Sequence, residues 1–303
     1  MQREGGILLP CPSHKREGKD LNQRAAIVTG GLRGLGRAMA LGLARTGVRV
    51  LAVGHIESDI PEMQALAVAN GAGENIACLV ADLRKPAECG RTIAACVDRF
   101  GALDILVNNA GLTFTYIAPD RFRRAAPQKF WEISDEVIQN VMDTNYVAAD
   151  QMARRAAPLM VARGWGRIVN VTTKLSTMNM HGAMPYGASK AALEMATEVW
   201  AKELAGTGVT VNIVNPGAGA NTLGMAQEMR DRSAAGTVAR LVEPEEMVPP
   251  LLFVVSRAAD RINGFRFDAN TWDASLPAAE AARKDGLPAG FELHAQDSVA
   301  WPG

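Results

Sequence analysis

A tyrosine and a lysine four residues apart, Tyr186 and Lys190, form a pair of side chains that could transfer a proton. A helix is predicted over 187–206, and positions i and i+4 lie on one face of a helix. The pKa of a free phenol is about 10, but an ammonium group within a few ångströms favours the phenolate and lowers that pKa. Such a tyrosine could accept or donate a proton at an alcohol or carbonyl oxygen. An isolated pair of this kind is more often a packed tyrosine and a solvated lysine, so the surrounding elements matter.

Short β-branched segments alternate with longer helical patterns along most of the chain. The predicted strands are 25–29, 48–53, 76–81, 103–108, 167–171, 209–214 and 265–268, and the predicted helices lie near 37–46, 61–70, 86–99, 134–163, 187–206 and 243–256. This alternation predicts an α/β, doubly wound Rossmann-type fold with a single seven-stranded parallel sheet and helices on both faces. Ligands of such folds bind outside the carboxyl ends of the strands.

A glycine-rich turn, Thr29-Gly30-Gly31-Leu32-Arg33-Gly34-Leu35-Gly36, follows the first predicted strand and precedes a helix. Glycines permit a tight turn and a close approach of the backbone to a pyrophosphate, and a helix N-terminus supplies free N–H groups. A glycine-rich turn alone is a weak signal. Its position between a strand and a helix favours a dinucleotide site.

The composition excludes several classes of protein. The 303 residues carry 32 basic and 32 acidic side chains, so no excess charge attracts nucleic acid or an anionic membrane. The four cysteines are Cys11, Cys78, Cys89 and Cys96. They form no Cys-x-x-Cys pair and no metal-ligand spacing, which predicts no metal site and a reducing compartment. No apolar stretch approaches the ~20 residues of a membrane span, and Ile7-Leu8-Leu9 is too short for a signal peptide core. We therefore expect a soluble, cytoplasmic protein.

Three further motifs lie at strand ends: Asn108-Asn109-Ala110-Gly111, the Tyr186…Lys190 pair and Asn215-Pro216-Gly217. With the glycine-rich turn, these four motifs in this order resemble those of the classical short-chain dehydrogenases/reductases. The resemblance covers about 22–272, which implies an N-terminal extension (1–21), one Rossmann-fold domain (22–272) and a C-terminal extension (273–303). It implies an oxidoreductase that interconverts a ketone or aldehyde with an alcohol by hydride transfer. It also implies a homo-oligomer, dimer or tetramer, with helices near 147–163 and 187–206 at the interface.

The resemblance assigns catalytic roles to four residues. Tyr186 would be the general acid/base, Lys190 would assist it and hold the nicotinamide ribose, and Asn145 would hold a water in a proton relay. The family usually has a serine thirteen residues before the tyrosine, and Thr173 stands there in this chain. Thr173 could polarise the substrate oxygen, although its β-methyl group would narrow the pocket. Of its competitors, Thr172 should face the other side of the strand and Ser176 lies beyond the strand end.

The cofactor site follows from the same resemblance. The matching residues are Gly30, Leu32, Arg33, Gly34, Leu35, Gly36, His55, Asp82, Leu83, Asn109, Ala110, Gly111, Tyr186, Lys190, Pro216, Gly217 and Gly219. The Asn-Asn-Ala-Gly motif could instead stabilise the central strands, and Asp82 could be a turn residue. Either Asn221 or Thr222 could bind the nicotinamide carboxamide.

The identity of the cofactor depends on the end of the second strand. NAD-specific members usually place an acid there to hold the ribose hydroxyls, and this chain has Gly54 followed by His55, with Glu57 and Asp59 close behind. Arg33 stands where related NADP enzymes put a basic residue against the 2′-phosphate, although it could be an ordinary exposed arginine. The resemblance favours NADP(H), with NAD(H) still possible.

The substrate is less defined. Residues 112–114, 178–184 and 217–242 are candidate pocket segments, rich in Met and small residues that suit a mainly apolar cavity. The arginines of an insertion at 112–131 could recognise a carboxylate or phosphate, or the insertion could be a solvated loop. Two other functions remain open: a non-catalytic dinucleotide-binding sensor or scaffold, and an epimerase or dehydratase on the same fold.

Overall fold

Parallel strands form the centre of the computed structural model, which describes residues 21–291. Within these residues the strands are β1 (Ala25–Thr29), β2 (Arg49–Gly54), β3 (Ile76–Val80), β4 (Ile105–Asn108), β5 (Gly166–Asn170), β6 (Val209–Asn215), β7 (Phe265–Asp268) and β8 (Leu287–Pro288). They form one sheet in the order β3-β2-β1-β4-β5-β6-β7-β8. Strands β1 to β7 are parallel, so the predicted doubly wound fold is confirmed.

One short strand was missed by the sequence analysis. β8 pairs antiparallel with β7, through Phe265 opposite Pro288 and Arg266 opposite Leu287. A two-residue strand that contains a proline has no periodicity to detect. It covers the outer edge of β7, so the described part of the predicted C-terminal extension packs on the sheet. The rest of that extension, with Trp301, lies outside the described residues, as does nearly all of the predicted N-terminal extension, with Cys11.

Helices cover both faces of the sheet. They are α1 (Gly34–Ala44), α2 (Ile60–Ala69), α3 (Pro86–Phe100), α4 (Phe114–Ile117), α5 (Asp135–Met142), α6 (Ala148–Ala162), α7 (Leu175–Met178), α8 (Tyr186–Glu203), α9 (Gln227–Ala234), α10 (Val248–Val255) and α11 (Ala278–Asp285). One core packs Met39 of α1 and Phe253 of α10 against the sheet. The other core packs Ile93 of α3 and Met152 of α6 against the opposite face. Among the helices described over 21–291, none is both long and apolar enough to cross a membrane.

The helix predicted over 134–163 is divided in two. A π-helical turn, Asp143–Val147, separates α5 from α6. In this turn the N–H of Ala148 donates to the carbonyl of Asp143, which is the i to i+5 hydrogen bond of a π-helix. Single π turns inside α-helices are frequent at functional sites. Asn145 lies in the turn and is 1% exposed.

Hydrogen bonds hold the carboxyl ends of β1 and β4 together. The backbone N–H groups of Asn109 and Ala110 donate to the Thr29 hydroxyl at 2.9 and 3.0 Å. The Asn109 side-chain amide donates to the Thr29 carbonyl at 2.9 Å. The side chain of Asn108, at the end of β4, donates to the side chain of Asn170, at the end of the neighbouring β5, at 2.9 Å. The Asn-Asn-Ala-Gly motif therefore joins the central strands directly beside the glycine-rich turn.

Candidate active site

Tyr186 and Lys190 occupy the first turns of α8 and line one cavity of about 330 Å³. Lys190 is 4% exposed, and its ammonium group donates to the Val171 carbonyl at 2.8 Å. The Thr173 hydroxyl lies within hydrogen-bonding reach of the Tyr186 hydroxyl. The cavity opens at the carboxyl ends of the strands, where a doubly wound sheet places its ligands.

Burial dominates the proton affinities of this pair. It raises the pKa of Tyr186 to about 12, and the hydrogen bond from Thr173 offsets only part of that increase. Burial also lowers the pKa of Lys190 to about 8. The expected net decrease of the tyrosine pKa is therefore wrong for the protein alone, because burial disfavours the charged phenolate. At neutral pH Tyr186 keeps its proton and can donate it.

The three candidate hydroxyls occupy different environments. Thr172 donates to the Glu194 carboxylate at 2.8 Å. Thr173 is the hydroxyl that contacts Tyr186, and Ser176 is exposed on α7. Of the three hydroxyls, Thr173 is the one within hydrogen-bonding reach of Tyr186, and its catalytic role stays a prediction.

Asn145 has a buried and fully engaged side chain. Its oxygen accepts from the N–H of Leu112 at 2.7 Å. Its amide nitrogen donates to the Leu112 carbonyl at 3.1 Å and to the Ser189 hydroxyl at 2.9 Å. These contacts tie the π turn to α8 and to the chain that leaves the Asn-Asn-Ala-Gly motif. A Cβ on Gly111 would lie 3.3 Å from the Asn145 oxygen and 3.5 Å from the Lys190 nitrogen, so the three residues adjoin.

The glycine-rich turn suits a pyrophosphate. The N-terminus of α1 has no side-chain hydrogen-bond cap and no acidic residue in its first turn, so it favours an anion. A Cβ on Gly36 would overlap the Gly30 carbonyl, so position 36 requires glycine. Gly34 has φ +54, a left-handed conformation that favours glycine. Leu35 lines the cavity. The Leu32 side chain is buried against Gly54, which leaves only its backbone for a ligand.

Arg33 is held by an acidic partner. Its Nε and a terminal nitrogen donate to the two Asp59 oxygens at 2.5 and 2.7 Å, and this hydrogen-bonded pairing raises the pKa of Arg33. His55, at the end of β2, is exposed. Sequence reasoning noted Asp59 as a nearby acid but not its pairing with the arginine.

Asp82 forms a turn after β3. Its carboxylate accepts from the backbone and side-chain nitrogens of Arg84, at 3.2, 2.8 and 2.9 Å. The Arg84 side chain thereby lowers the pKa of Asp82. Leu83 is buried, and neither residue lines the cavity. This geometry supports the turn alternative for Asp82, and a cofactor contact from either residue stays a prediction.

The segment after β6 forms another wall of the cavity. Pro216, Gly219 and Thr222 line it, whereas a Cβ on Gly217 would overlap the Asn270 side chain. Asn221 turns away, because its amide donates to Glu243 at 3.0 Å. Thr222 is therefore the residue of the two that faces the cavity.

The insertion, residues 112–131, forms a further wall of the cavity. The hydroxyls of Thr113 and Thr115 both donate to the Gly224 carbonyl at 2.8 Å. The Phe114 ring packs on the Tyr186 ring, with centroids 4.6 Å apart. Residues 112–114 were expected in the pocket, but these links could not be predicted, since they depend on contacts distant in sequence.

A buried ion pair behind Thr173 was also missed. Arg266 on β7 donates to Glu194 on α8 at 3.0 Å and to the Thr173 carbonyl at 3.3 Å. The available signal was the position of Glu194, four residues after Lys190 and therefore on the same face of α8. Over residues 21–291, no group of three or more His, Cys, Asp or Glu side chains could hold a metal ion.

Comparisons with known proteins agree with this arrangement. The family model for short chain dehydrogenases matches residues 24–233. A 3-oxoacyl-(acyl-carrier-protein) reductase from Synechocystis sp. is 33% identical over 259 residues, which cover 82% of this chain and 96% of the relative. A 2-dehydro-3-deoxy-D-gluconate 5-dehydrogenase from Escherichia coli is 33% identical over 258 residues, covering 81% and 93%.

A solved structure shows the same architecture. A variant of the actinorhodin polyketide ketoreductase, solved with NADPH, superposes with a TM-score of 0.68 at 27% identity, covering 79% of this chain and 93% of the ketoreductase. The family match spans more than half of the chain, and the relatives align over nearly their full lengths. The chain therefore belongs to the short-chain dehydrogenases, a family of oxidoreductases that act on alcohol and carbonyl groups.

Proposed function

We propose that the protein interconverts a ketone or aldehyde with an alcohol, using NADP(H), and that Tyr186 is the proton donor and acceptor. One observation carries this proposal. Tyr186, Thr173 and buried Lys190 line one cavity at the carboxyl ends of the strands, with Thr173 within hydrogen-bonding reach of Tyr186. These groups lie where a reacting oxygen needs a proton and a hydrogen-bond donor.

The protein supplies the proton transfer, and the nicotinamide ring supplies or accepts the hydride when it is bound. During reduction, Tyr186 donates its proton to the substrate oxygen as negative charge develops there. Thr173 donates a hydrogen bond to the same oxygen. Lys190, whose pKa is about 8, is mostly protonated at neutral pH and stabilises the phenolate that Tyr186 becomes.

Reduction is the direction that the proton affinities favour. A tyrosine with a pKa near 12 holds its proton at neutral pH, as a general acid must. Oxidation requires the phenolate, which burial disfavours. We therefore expect alcohol oxidation to become faster as pH rises above 7, because a larger fraction of Tyr186 is then phenolate.

Two features support NADP(H) over NAD(H). Gly54 ends β2 without a carboxylate, and Arg33 lies in the turn that precedes α1. A guanidinium binds a phosphate bidentately. The ketoreductase that shares this fold was solved with NADPH. Since Asp59 holds Arg33, the 2′-phosphate would have to displace that carboxylate.

Assembly into a homo-oligomer is also proposed. Met195 and Val199 are 41% and 43% exposed and lie four residues apart on α8. Leu159 and Val161 are similarly exposed on α6. Apolar side chains exposed on these two helices suit burial against a second copy. Light scattering on the purified protein measures the mass, and a monomer at micromolar concentration would contradict the proposal.

The central experiment measures NADPH oxidation with a panel of carbonyl compounds. The panel starts from the chemistry of two relatives, whose names specify a 3-oxoacyl group and a sugar acid. Tyr186→Phe removes the hydroxyl, and we expect kcat to fall by about 10²–10⁴-fold. NADPH affinity, measured by nucleotide fluorescence, should change little. NADPH binding without turnover of any compound would favour a sensor instead.

A further inference from the structure

Arg121 is a charged side chain in the wall of the candidate active site. Among the described residues, Arg121 and Lys190 are the two charged side chains that line the cavity. Lys190 donates a hydrogen bond to the Val171 carbonyl, and the proposed function assigns it the stabilisation of the Tyr186 phenolate. Arg121 comes from the insertion, and the proposed chemistry gives it no task.

Two contacts hold the Arg121 guanidinium in place. One terminal nitrogen donates to the Gly182 carbonyl at 2.6 Å. The guanidinium carbon lies 4.2 Å from the centroid of the Phe114 ring, and the same ring packs against Tyr186. A planar guanidinium stacked on an aromatic ring keeps its edge available for hydrogen bonds. The Phe114 ring therefore lies between the Arg121 guanidinium and Tyr186, the proposed proton donor.

The positive charge of Arg121 has no acidic partner within residues 21–291. The neighbouring Arg124 pairs with Asp120 at 2.7 Å, but no carboxylate of the described chain lies within 4.0 Å of Arg121. The other terminal nitrogen has only a 3.9 Å contact with the Met180 sulfur. Arg121 is half-buried, and this burial lowers its pKa. A partly desolvated cation without a counterion is costly, and a bound anion removes that cost.

We propose that Arg121 binds a carboxylate of the substrate, so that the protein acts on oxo acids and the corresponding hydroxy acids. This inference rests on the proposed function, with the reacting carbonyl at Tyr186 and Thr173. A single guanidinium matches a carboxylate in charge and in fork geometry. A phosphate ester carries close to two charges at neutral pH and would leave one uncompensated. The cavity of about 330 Å³ must also take the nicotinamide ring, so the acid that fits beside the ring is small.

The test compares acids with their neutral esters. The substrates are 3-oxobutanoate, 4-oxopentanoate and 5-oxohexanoate, each beside its methyl ester, with NADPH in excess. We expect at least one acid to exceed its ester in kcat/KM by about tenfold or more, the size of one charge-assisted hydrogen-bonded pair. In Arg121→Gln that ratio should fall to near one, mainly through a higher KM for the acid. Arg121→Lys should restore part of it.

A matched variant separates this site from general charge effects. Arg124→Gln removes one positive charge from the same insertion, but Arg124 is paired with Asp120 and does not line the cavity. The acid-to-ester ratio should be unchanged in this variant. An equal loss of preference in both variants would show a long-range charge effect and overturn the carboxylate site.

A binding measurement tests the site without turnover. Pentanoate is titrated into the cofactor-free protein by calorimetry, with pentanamide as the neutral control. Saturable binding of pentanoate alone, lost in Arg121→Gln, supports the site even if no compound is turned over and the proposed function fails. Equal turnover of acids and esters by the wild type and Arg121→Gln overturns the site and leaves the proposed function standing. Preference for a phosphorylated carbonyl such as dihydroxyacetone phosphate over all the acids would also overturn it.

Discussion

Glu194 and Arg266 form a buried ion pair directly behind Thr173, with 3.0 Å between the Glu194 Oε1 and a terminal nitrogen of Arg266. Glu194 is 0% exposed and Arg266 is 8% exposed. The other Glu194 oxygen accepts from the Thr172 hydroxyl, and Arg266 also donates to the Thr173 carbonyl. The pair thereby holds two consecutive residues after β5. We regard Glu194 and Arg266 as positioning residues for Thr173.

Glu194→Gln should destabilise the protein and lower its activity. It removes the nearer of the two carboxylates around the buried Arg266 charge and leaves Asp268 at 3.6 Å, which costs about 1.5–3 kcal/mol of unfolding free energy. Urea denaturation measures that loss. The double variant Glu194→Gln with Arg266→Met removes the buried charge that Glu194 compensated, so it should recover part of the stability. It should not recover the kcat, because Thr173 loses its hydrogen bond from Arg266. Wild-type stability in Glu194→Gln would contradict this account.

Lys190→Met should stabilise the cofactor-free protein at neutral pH. The pKa of Lys190 falls from 10.5 to about 8 on folding. Below pH 8 the buried lysine is protonated, and its desolvated charge lowers the free energy of unfolding. This penalty is about 3 kcal/mol. As pH rises from 8 toward 10.5, the unfolded chain still binds the proton that the native state has released, so wild-type stability increases. The advantage of Lys190→Met should therefore shrink over this window.

Urea denaturation from pH 7 to pH 10 checks the Lys190 prediction. The upper limit avoids the ionisation of unfolded tyrosines, whose pKa is about 10. Lys202→Met is the control, because it removes an exposed lysine from the same helix. A stability difference between Lys190→Met and the wild type that is constant across the range would show that burial does not lower the Lys190 pKa.

Asp59→Asn should tighten NADPH binding. The Asp59 carboxylate occupies the Arg33 guanidinium, and it would also repel the 2′-phosphate. We expect the Kd for NADPH to fall by about tenfold, the scale of one charge-assisted pair, with little change for NADH. Arg33→Gln should weaken NADPH alone. Fluorescence titration of both nucleotides measures these values.

Glu62→Gln is the matched control for the Asp59 prediction. Glu62, on α2, pairs at 2.8 Å with Arg37, which lies one turn after Arg33 on α1. The Glu62 side chain is 63% exposed. The substitution Glu62→Gln removes one negative charge near the cofactor site but leaves the Arg33–Asp59 ion pair intact. An equal gain in NADPH affinity from Glu62→Gln would indicate a general charge effect. Stronger NADH than NADPH binding in the wild type would contradict the proposed cofactor.

The double variant Thr113→Val with Thr115→Val should loosen the segment above the cavity. Both hydroxyls donate to the Gly224 carbonyl, and each bond contributes about 1 kcal/mol. Limited proteolysis should cut 217–242 faster in the variant. Thr46→Val, which removes a hydroxyl bonded to the Leu43 carbonyl, is the control and should not change that rate. Equal cleavage rates in all three proteins would show that these bonds do not hold the segment.

Much of the fold could be predicted because its signals are local. The seven parallel strands lie within two residues of their predicted bounds, since β-branched runs between glycine-rich turns favour strands without help from distant contacts. The division of the helix at 143–147 could not be predicted. It accompanies contacts of Asn145 with Leu112 and Ser189, which lie more than 30 residues away.

By itself, the sequence determined the sheet, the glycine-rich turn and the presence of Tyr186 and Lys190 on one helix face, because strand propensity, glycine geometry and the i to i+4 spacing act over a few residues. Only the tertiary structure decided the proton affinities of that pair, the pairing of Arg33 with Asp59 and the place of Arg121 in the cavity wall. Desolvation and ion pairing depend on which distant segments the fold brings together.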